Sequence, residues 1–117
     1  MQNDNDNDDL AKISFYKNTN KDTMFQGVYG TYKDAPTFSI VVAGLSGEEA
    51  AQFIFHFTND MESAIRQYSI YISPSDMDKY SHTPYRGEPM SVGDLVAVDA
   101  EYDVQEYLCL SQGWKKL

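Results

Sequence analysis

The stretch TFSIVVAGLSGEEAAQFIFHFTNDM, residues 37–61, decides the class of fold. Its first nine residues are mostly β-branched or apolar and read as a strand buried on both faces, at the centre of a sheet. Ser46-Gly47-Glu48-Glu49 then carries the S-x-x-E spacing of a capping box, the signature of a helix start. Beyond it, Ala50, Phe53, Ile54, Phe57 and Met61 recur at i, i+3, i+4, i+7 and i+11. That spacing puts them on one apolar stripe, which has to be buried against another layer. Asn59-Asp60 either ends the helix or lies on its wet face, because Ile65 and Tyr68 continue the period.

Upstream, residues 11–19 alternate Ile13 and Phe15 with Ser14 and Tyr16, a first strand. Residues 18–22 are turn material. Residues 24–32 place Phe25, Val28 and Tyr32 around Gly27 and Gly30, and predict a strand with a bulge, closed by a turn over 33–36. Downstream, YSIYI (68–72) alternates, so that Tyr68, Ile70 and Ile72 share one face of a strand ended by Pro74. A long loop over 73–90 follows, with a short helical turn near 76–80. Ser91-Val92-Gly93-Asp94 then delivers the chain into strand 95–98, and residues 99–103 connect it to a return strand over 106–111. Gly113-Trp114 supplies a bend and an anchor. The sum is an α+β fold: a mainly antiparallel sheet, one long amphipathic helix packed on it, and a C-terminal β-hairpin. The domain spans 10–117, and residues 1–9, almost wholly Asn and Asp, are expected to form a disordered acidic tail.

Eighteen acidic against nine basic residues give a net charge of −9 over 117 residues. A surface of that sign repels nucleic acid and anionic membrane and favours a basic protein partner. The single cysteine, Cys109, rules out an intrachain disulfide and fits a reducing cytoplasm. No basic-then-apolar leader stands at the N-terminus, and no apolar run nears the roughly 20 residues that span a bilayer. A cytoplasmic protein is expected.

The search for chemistry returns little. The run from Asp4 imitates an EF-hand loop, but the required Gly and Glu positions hold Asp9 and Phe15. His56 and His82 stand apart with no H-x-x-x-H spacing, so neither a metal nor a cofactor is expected. Cys109, His82 and Asp94 can be drawn as a nucleophilic triad, yet a thiol between Leu108 and Leu110 has no cationic neighbour to activate it. Gly44, Ser46 and Gly47 break the G-x-S-x-G spacing. No catalytic residue is assigned. Gly93 and Asp94 read as a structural turn, in which the glycine permits an unusual backbone angle and the carboxylate accepts backbone N–H groups.

The carboxylates are better organised. Asp99, Glu101, Asp103 and Glu106, with Tyr102, crowd the last hairpin, where acids on a stiff scaffold can imitate a phosphate strand and occupy a basic groove. The plainer account is a solvated face with no partner.

Pro84, Tyr85, Arg86, Gly87, Met90, Ser91, Val92, Gly93, Asp94, Val96, Tyr107, Gly113 and Trp114 follow a recognisable order: proline–aromatic–basic–glycine, a serine-rich S-V-G-D strand start, and an aromatic strand ending in Gly-Trp. This last third of the chain resembles small YodL-like domains of phages and conjugative elements, with Pro89 departing from their pattern. The resemblance implies a mobile-element setting, often near antirestriction genes, and no established catalytic role. With the acidic surface it points to a non-enzymatic protein that binds and inhibits a basic host protein, a defence nuclease of the CRISPR or restriction kind. Two alternatives stand beside it. One is a ligand- or peptide-binding module with the 80–88 loop as a lid over Tyr80, Tyr85 and Trp114; the other is a homo-oligomer paired through an exposed strand edge.

Overall fold

The computed structural model describes residues 10–100 and 103–117. Alternation in Leu10–Tyr16 (β1) sends Ala11, Ile13 and Phe15 to one face, all of them buried. Phe38–Ala43 (β2) pairs with it antiparallel and sends Phe38, Ile40 and Val42 to the same side. Leu95–Ala100 (β3) pairs with the other edge of β1, followed outward by Asp103–Cys109 (β4) and Trp114–Lys116 (β5). The result is a five-stranded antiparallel sheet in the order β2-β1-β3-β4-β5.

Gly47–Asn59 (α1), Met61–Tyr68 (α2) and Pro74–His82 (α3) supply the helical layer. The stripe of α1 meets the sheet through Ala50, Phe53, Ile54 and Phe57, none more than 1% exposed. Four rings close the core: Phe38 stacks on Phe57 with centroids 5.4 Å apart, and Tyr80 and Tyr85 set their rings against both. The architecture is α+β with an antiparallel sheet.

Several finer expectations are corrected. The long helix is two helices, because Asp60 leaves helical geometry (φ −153°) while its carboxylate accepts the Ser63 N–H and caps α2. Ser46 starts α1 without a side-chain cap bond, so the S-x-x-E box is not closed. Of residues 68–72, Tyr68 ends α2, Ser69–Tyr71 form a turn of 3₁₀-helix with Ile70 pointing to solvent, and only Ile72 bridges to Val42. Pro74 does not end a strand but opens α3 at its first turn, with the Ser73 hydroxyl accepting the Asp76 N–H. The C-terminal hairpin gains β5 and becomes a three-stranded meander.

The strand expected at the sheet centre, β2, lies at its edge. Its outer side is nonetheless occupied: Val41 donates its N–H to Asp76 Oδ2 at 2.9 Å and accepts the Ser73 N–H at 3.0 Å. A covered edge tolerates the same apolar composition as a central strand. The other edge, β5, is three residues long and carries Lys115 and Lys116, which repel a second edge laid against it.

Residues 24–32 form no strand. The chain turns at Phe25, whose φ of +62° is left-handed, and folds back on the Asn18 side chain. Asn18 is fully buried; its oxygen accepts the N–H groups of Asn20 and Thr31, and its nitrogen donates to Thr23 Oγ1. Gly30 lies so close that a Cβ there would overlap the Asn18 carboxamide. A buried amide, not a ladder, therefore organises this segment.

The expectations placed on residues 1–9, Glu101 and Tyr102 lie outside the described residues.

Candidate functional site

The turn before β3 is the most heavily bonded polar centre. Gly93 (φ +93°) takes a backbone angle that strains any residue with a Cβ, and Thr23 O and Phe25 N would crowd a side chain there. Asp94 is 1% exposed. Its Oδ1 accepts the Asn18 N–H at 2.9 Å, and its Oδ2 accepts the Ser91 N–H at 2.8 Å and lies 3.2 Å from Lys17 Nζ. Burial pushes the carboxyl above its usual value, against the opposing pull of the two amides and Lys17. The turn is tied on every side. Gly93 N–H donates to Cys109 O, Cys109 N–H to Asp94 O, and the Tyr32 hydroxyl to Gly93 O at 2.6 Å.

Lys17 Nζ spends its donors on Asp94, Pro89 O and Ser91 Oγ. A hollow of about 250 Å³ beside it, walled by Lys17, Lys33, Thr19, Thr37 and Glu88, thus faces a lysine already committed.

The drawn triad does not assemble. Cys109 is buried and its backbone touches Asp94, but burial pushes its thiol up to about 11, away from thiolate character. His82 sits exposed at the end of α3, bonded to Ser81 and Asp78. The rings of the lid-and-pocket alternative divide among different neighbours. Tyr80 and Tyr85 belong to the packed core, whereas Trp114 stands against Phe55 with its Nε1–H on Gln52 Oε1. Among the described residues, no three His, Cys, Asp or Glu side chains gather as a metal site. No helix there is long and apolar enough to cross a membrane.

The hairpin carboxylates divide between the two faces of the sheet. Asp103 shares the helix-side face with Gln105 and Tyr107; Gln105 donates to Asp103 Oδ2 at 2.8 Å and accepts the Tyr107 hydroxyl at 2.7 Å. Asp99 and Glu106 point to the opposite face, where the register sets Lys12 across from Asp99. The reason is period two along each strand: Asp103 and Glu106 lie three apart on β4, and Asp99 shares a face with its partner Val104, the residue after Asp103.

The register also shows which acids share an end of the molecule. Leu10, Ala43, Ala100 and Asp103 mark one end of the sheet; Tyr16, Phe38, Leu95 and Leu108 mark the other. The first turn of α1 carries exposed Glu48 and Glu49 to the Asp103 end. Burial pushes the Tyr107 hydroxyl up, and the charges of Glu48 and Asp103 add to that shift. Glu49 acts in the same way on Tyr68. Sequence reading took these two glutamates only as a helix start. Asp99, Asp103, Glu106, Glu48 and Glu49 make no ion pair among the described residues.

The other end has opposite character. Residues 17–33 include Lys17, Lys21 and Lys33, and they expose Phe25, Val28 and Tyr29 by 63%, 48% and 58%. Sequence reading missed this surface because it placed those residues in a strand.

Compared with protein-family models, curated proteins and solved structures, the chain matches none.

Proposed function

We propose that this chain is a non-enzymatic binding protein that docks on a basic partner protein through its carboxylate end, where Glu48 and Asp103 act on the Tyr107 hydroxyl and Glu49 acts on Tyr68. Asp99 and Glu106 extend the negative potential onto the far face of the sheet, and Glu101 and Tyr102 stand next to Asp103 in sequence. The observation that carries the reading is the set of exposed carboxylates at one end that no lysine or arginine neutralises within ion-pair distance, among the described residues. Two further points support it. The one thiol is held away from thiolate character and the buried Asp94, the one buried carboxyl among the described residues, is tied to backbone amides, and the last third of the chain resembles mobile-element domains. In that setting the partner is a host defence nuclease, whose nucleic-acid groove is basic, and binding blocks the groove.

The test is capture from a host lysate by the immobilised chain at low and high salt, repeated with a Glu48→Lys, Glu49→Lys, Asp103→Lys variant of unchanged circular dichroism. Capture that falls steeply with salt, and is lost with the reversed charges, is the expected outcome. Salt-independent capture, or equal capture by the variant, would overturn it.

A further inference from the structure

The end of the molecule opposite the carboxylates carries a projecting aromatic ring beside an uncharged hollow of mixed polar and apolar lining. Phe25 is the only non-glycine residue at positive φ among the described residues, and its ring is 63% exposed. Both conditions are unfavourable in an isolated chain: the backbone is strained and the apolar surface is wet. The strain is held in place. Phe25 donates its N–H to Val92 O at 3.1 Å, Thr19 N–H reaches Thr31 O at 2.8 Å, and the Tyr32 hydroxyl is bonded to Gly93 O. Next to the ring opens a hollow of about 410 Å³ between residues 25–27 and 110–112, with Val92 in its wall. Gly27 lies over the Val92 and Leu110 side chains, whose methyl groups share the lining with the polar Gln26, Ser111 and Gln112. The hollow has the size of sites that hold small ligands and can admit an aromatic ring. No charged side chain lines it among the described residues, on a chain of net charge −9.

We infer that this end is a self-association surface on which two copies related by a two-fold axis exchange Phe25, each ring entering the hollow beside the other's. A two-fold contact uses one patch twice, so the patch must hold both the knob and its socket. This one does. The neighbouring Lys21 and Asp22 have opposite sign, and a two-fold axis can set the lysine of one copy against the aspartate of the other. Strand pairing is not the route, since β2 is covered by Ser73 and Asp76 and β5 carries two lysines.

Area sets the strength. An aromatic side chain presents about 150–250 Å², so Phe25, Tyr29 and Val28 at their observed exposures offer roughly 300 Å² per copy. Two copies together stay well under the ~1,200 Å² of stable interfaces, which makes this a weak, concentration-dependent dimer.

Sedimentation equilibrium of the full chain, up to about 1 mM and at low and high salt, tests the inference. The weight-average mass is expected to climb from monomer toward dimer with concentration. It should climb further in high salt, because two copies of charge −9 repel less when screened. That salt dependence is opposite in sign to the one expected for the carboxylate end, so either reading can fail without the other. Phe25→Gly removes the ring while suiting the left-handed backbone, so it folds and should remain monomeric throughout. A wild-type chain that stays monomeric at the highest concentration in high salt overturns the inference. So does a Phe25→Gly variant that dimerises as the wild type does.

Discussion

Replacing Asp94 separates a structural carboxylate from a chemical one, and the size of the effect follows from its bonds. In Asp94→Ala the backbone N–H groups of Asn18 and Ser91 lose their acceptor in a site that water does not reach. A buried donor left unsatisfied costs about 1–3 kcal/mol, so the two contribute roughly 2–6 kcal/mol. Lys17 loses its counter-charge as well, but keeps Pro89 O and Ser91 Oγ and is 16% exposed, which adds about 1 kcal/mol. The expected loss is therefore about 3–7 kcal/mol, a large part of the whole stability of many domains.

Asp94→Asn should cost much less. Burial already favours the neutral form of this side chain, and the amide oxygen still accepts one of the two N–H groups. A loss of about 1–3 kcal/mol is expected. Urea unfolding followed by circular dichroism measures both. With a slope of about 1–3 kcal/mol per molar, the alanine variant moves the midpoint down by roughly 2 M or is unfolded outright. An alanine variant within about 1 kcal/mol of wild type, or one no less stable than the asparagine variant, would show that the network carries little of the fold.

Two further perturbations probe different parts of the molecule. The Cys109 thiol, raised from 9.0 to about 11 by burial, stays protonated in the folded chain while the unfolded chain ionises. Stability is thus unaffected below pH 9 and falls between pH 9 and 11 by up to about 2–3 kcal/mol; Cys109→Ala should flatten that part of a pH series of urea midpoints, and a series identical to wild type refutes the assignment. Asp76→Ala strips the cover from Val41 N–H and should destabilise by about 1–2 kcal/mol. It should also bring concentration-dependent light scattering from the bared β2 edge, and a variant that remains clear and fully stable shows that the edge needs no cover.

Periodicity made the sandwich of sheet and helix legible. The alternation of Ile13 and Phe15, the run through Ile40 and Val42, and the stripe of Phe53, Ile54 and Phe57 all face the core they predict. What escaped depends on partners distant in sequence. The break at Asp60 leaves the apolar period running, so only the cap on Ser63 marks it, and that bond is invisible in a hydrophobic pattern. The edge position of β2 is set by Asp76, 35 residues away, whose carboxylate supplies the bond a neighbouring strand would have made. Residues 24–32 have strand composition but are governed by Asn18, whose amide binds the backbone of Asn20 and Thr31. The start of α3 was readable: Ser73, Pro74 and Asp76 are a cap, a first-turn proline and a first-turn acid in order. The division of Asp99 and Asp103 between two faces was equally available from their offset across a hairpin, had the strands been extended to include them.

The segment bearing Phe25 is tied to the sheet through one turn, and this bears on how the exposed aromatic is understood. An exposed ring in a frayed loop has no meaning, because the loop can withdraw it. Here the segment bearing Phe25 hangs from the same residues that close β3 against β4. Asn18 is bonded to Asp94, Tyr32 to Gly93, and Phe25 to Val92, three consecutive positions of one turn. Bending Phe25 back into regular backbone would cost the Val92 bond and disturb a carboxylate with no water to replace its partners. The ring is outside because the buried polar centre holds it there. The Gly93-Asp94 turn thus does two things at once, closing the core-side sheet and presenting a hydrophobic surface at the end of the chain's acidic body. That arrangement sets the proposed apolar contact and the proposed charged contact at opposite ends of β1, so that one could be occupied without obstructing the other.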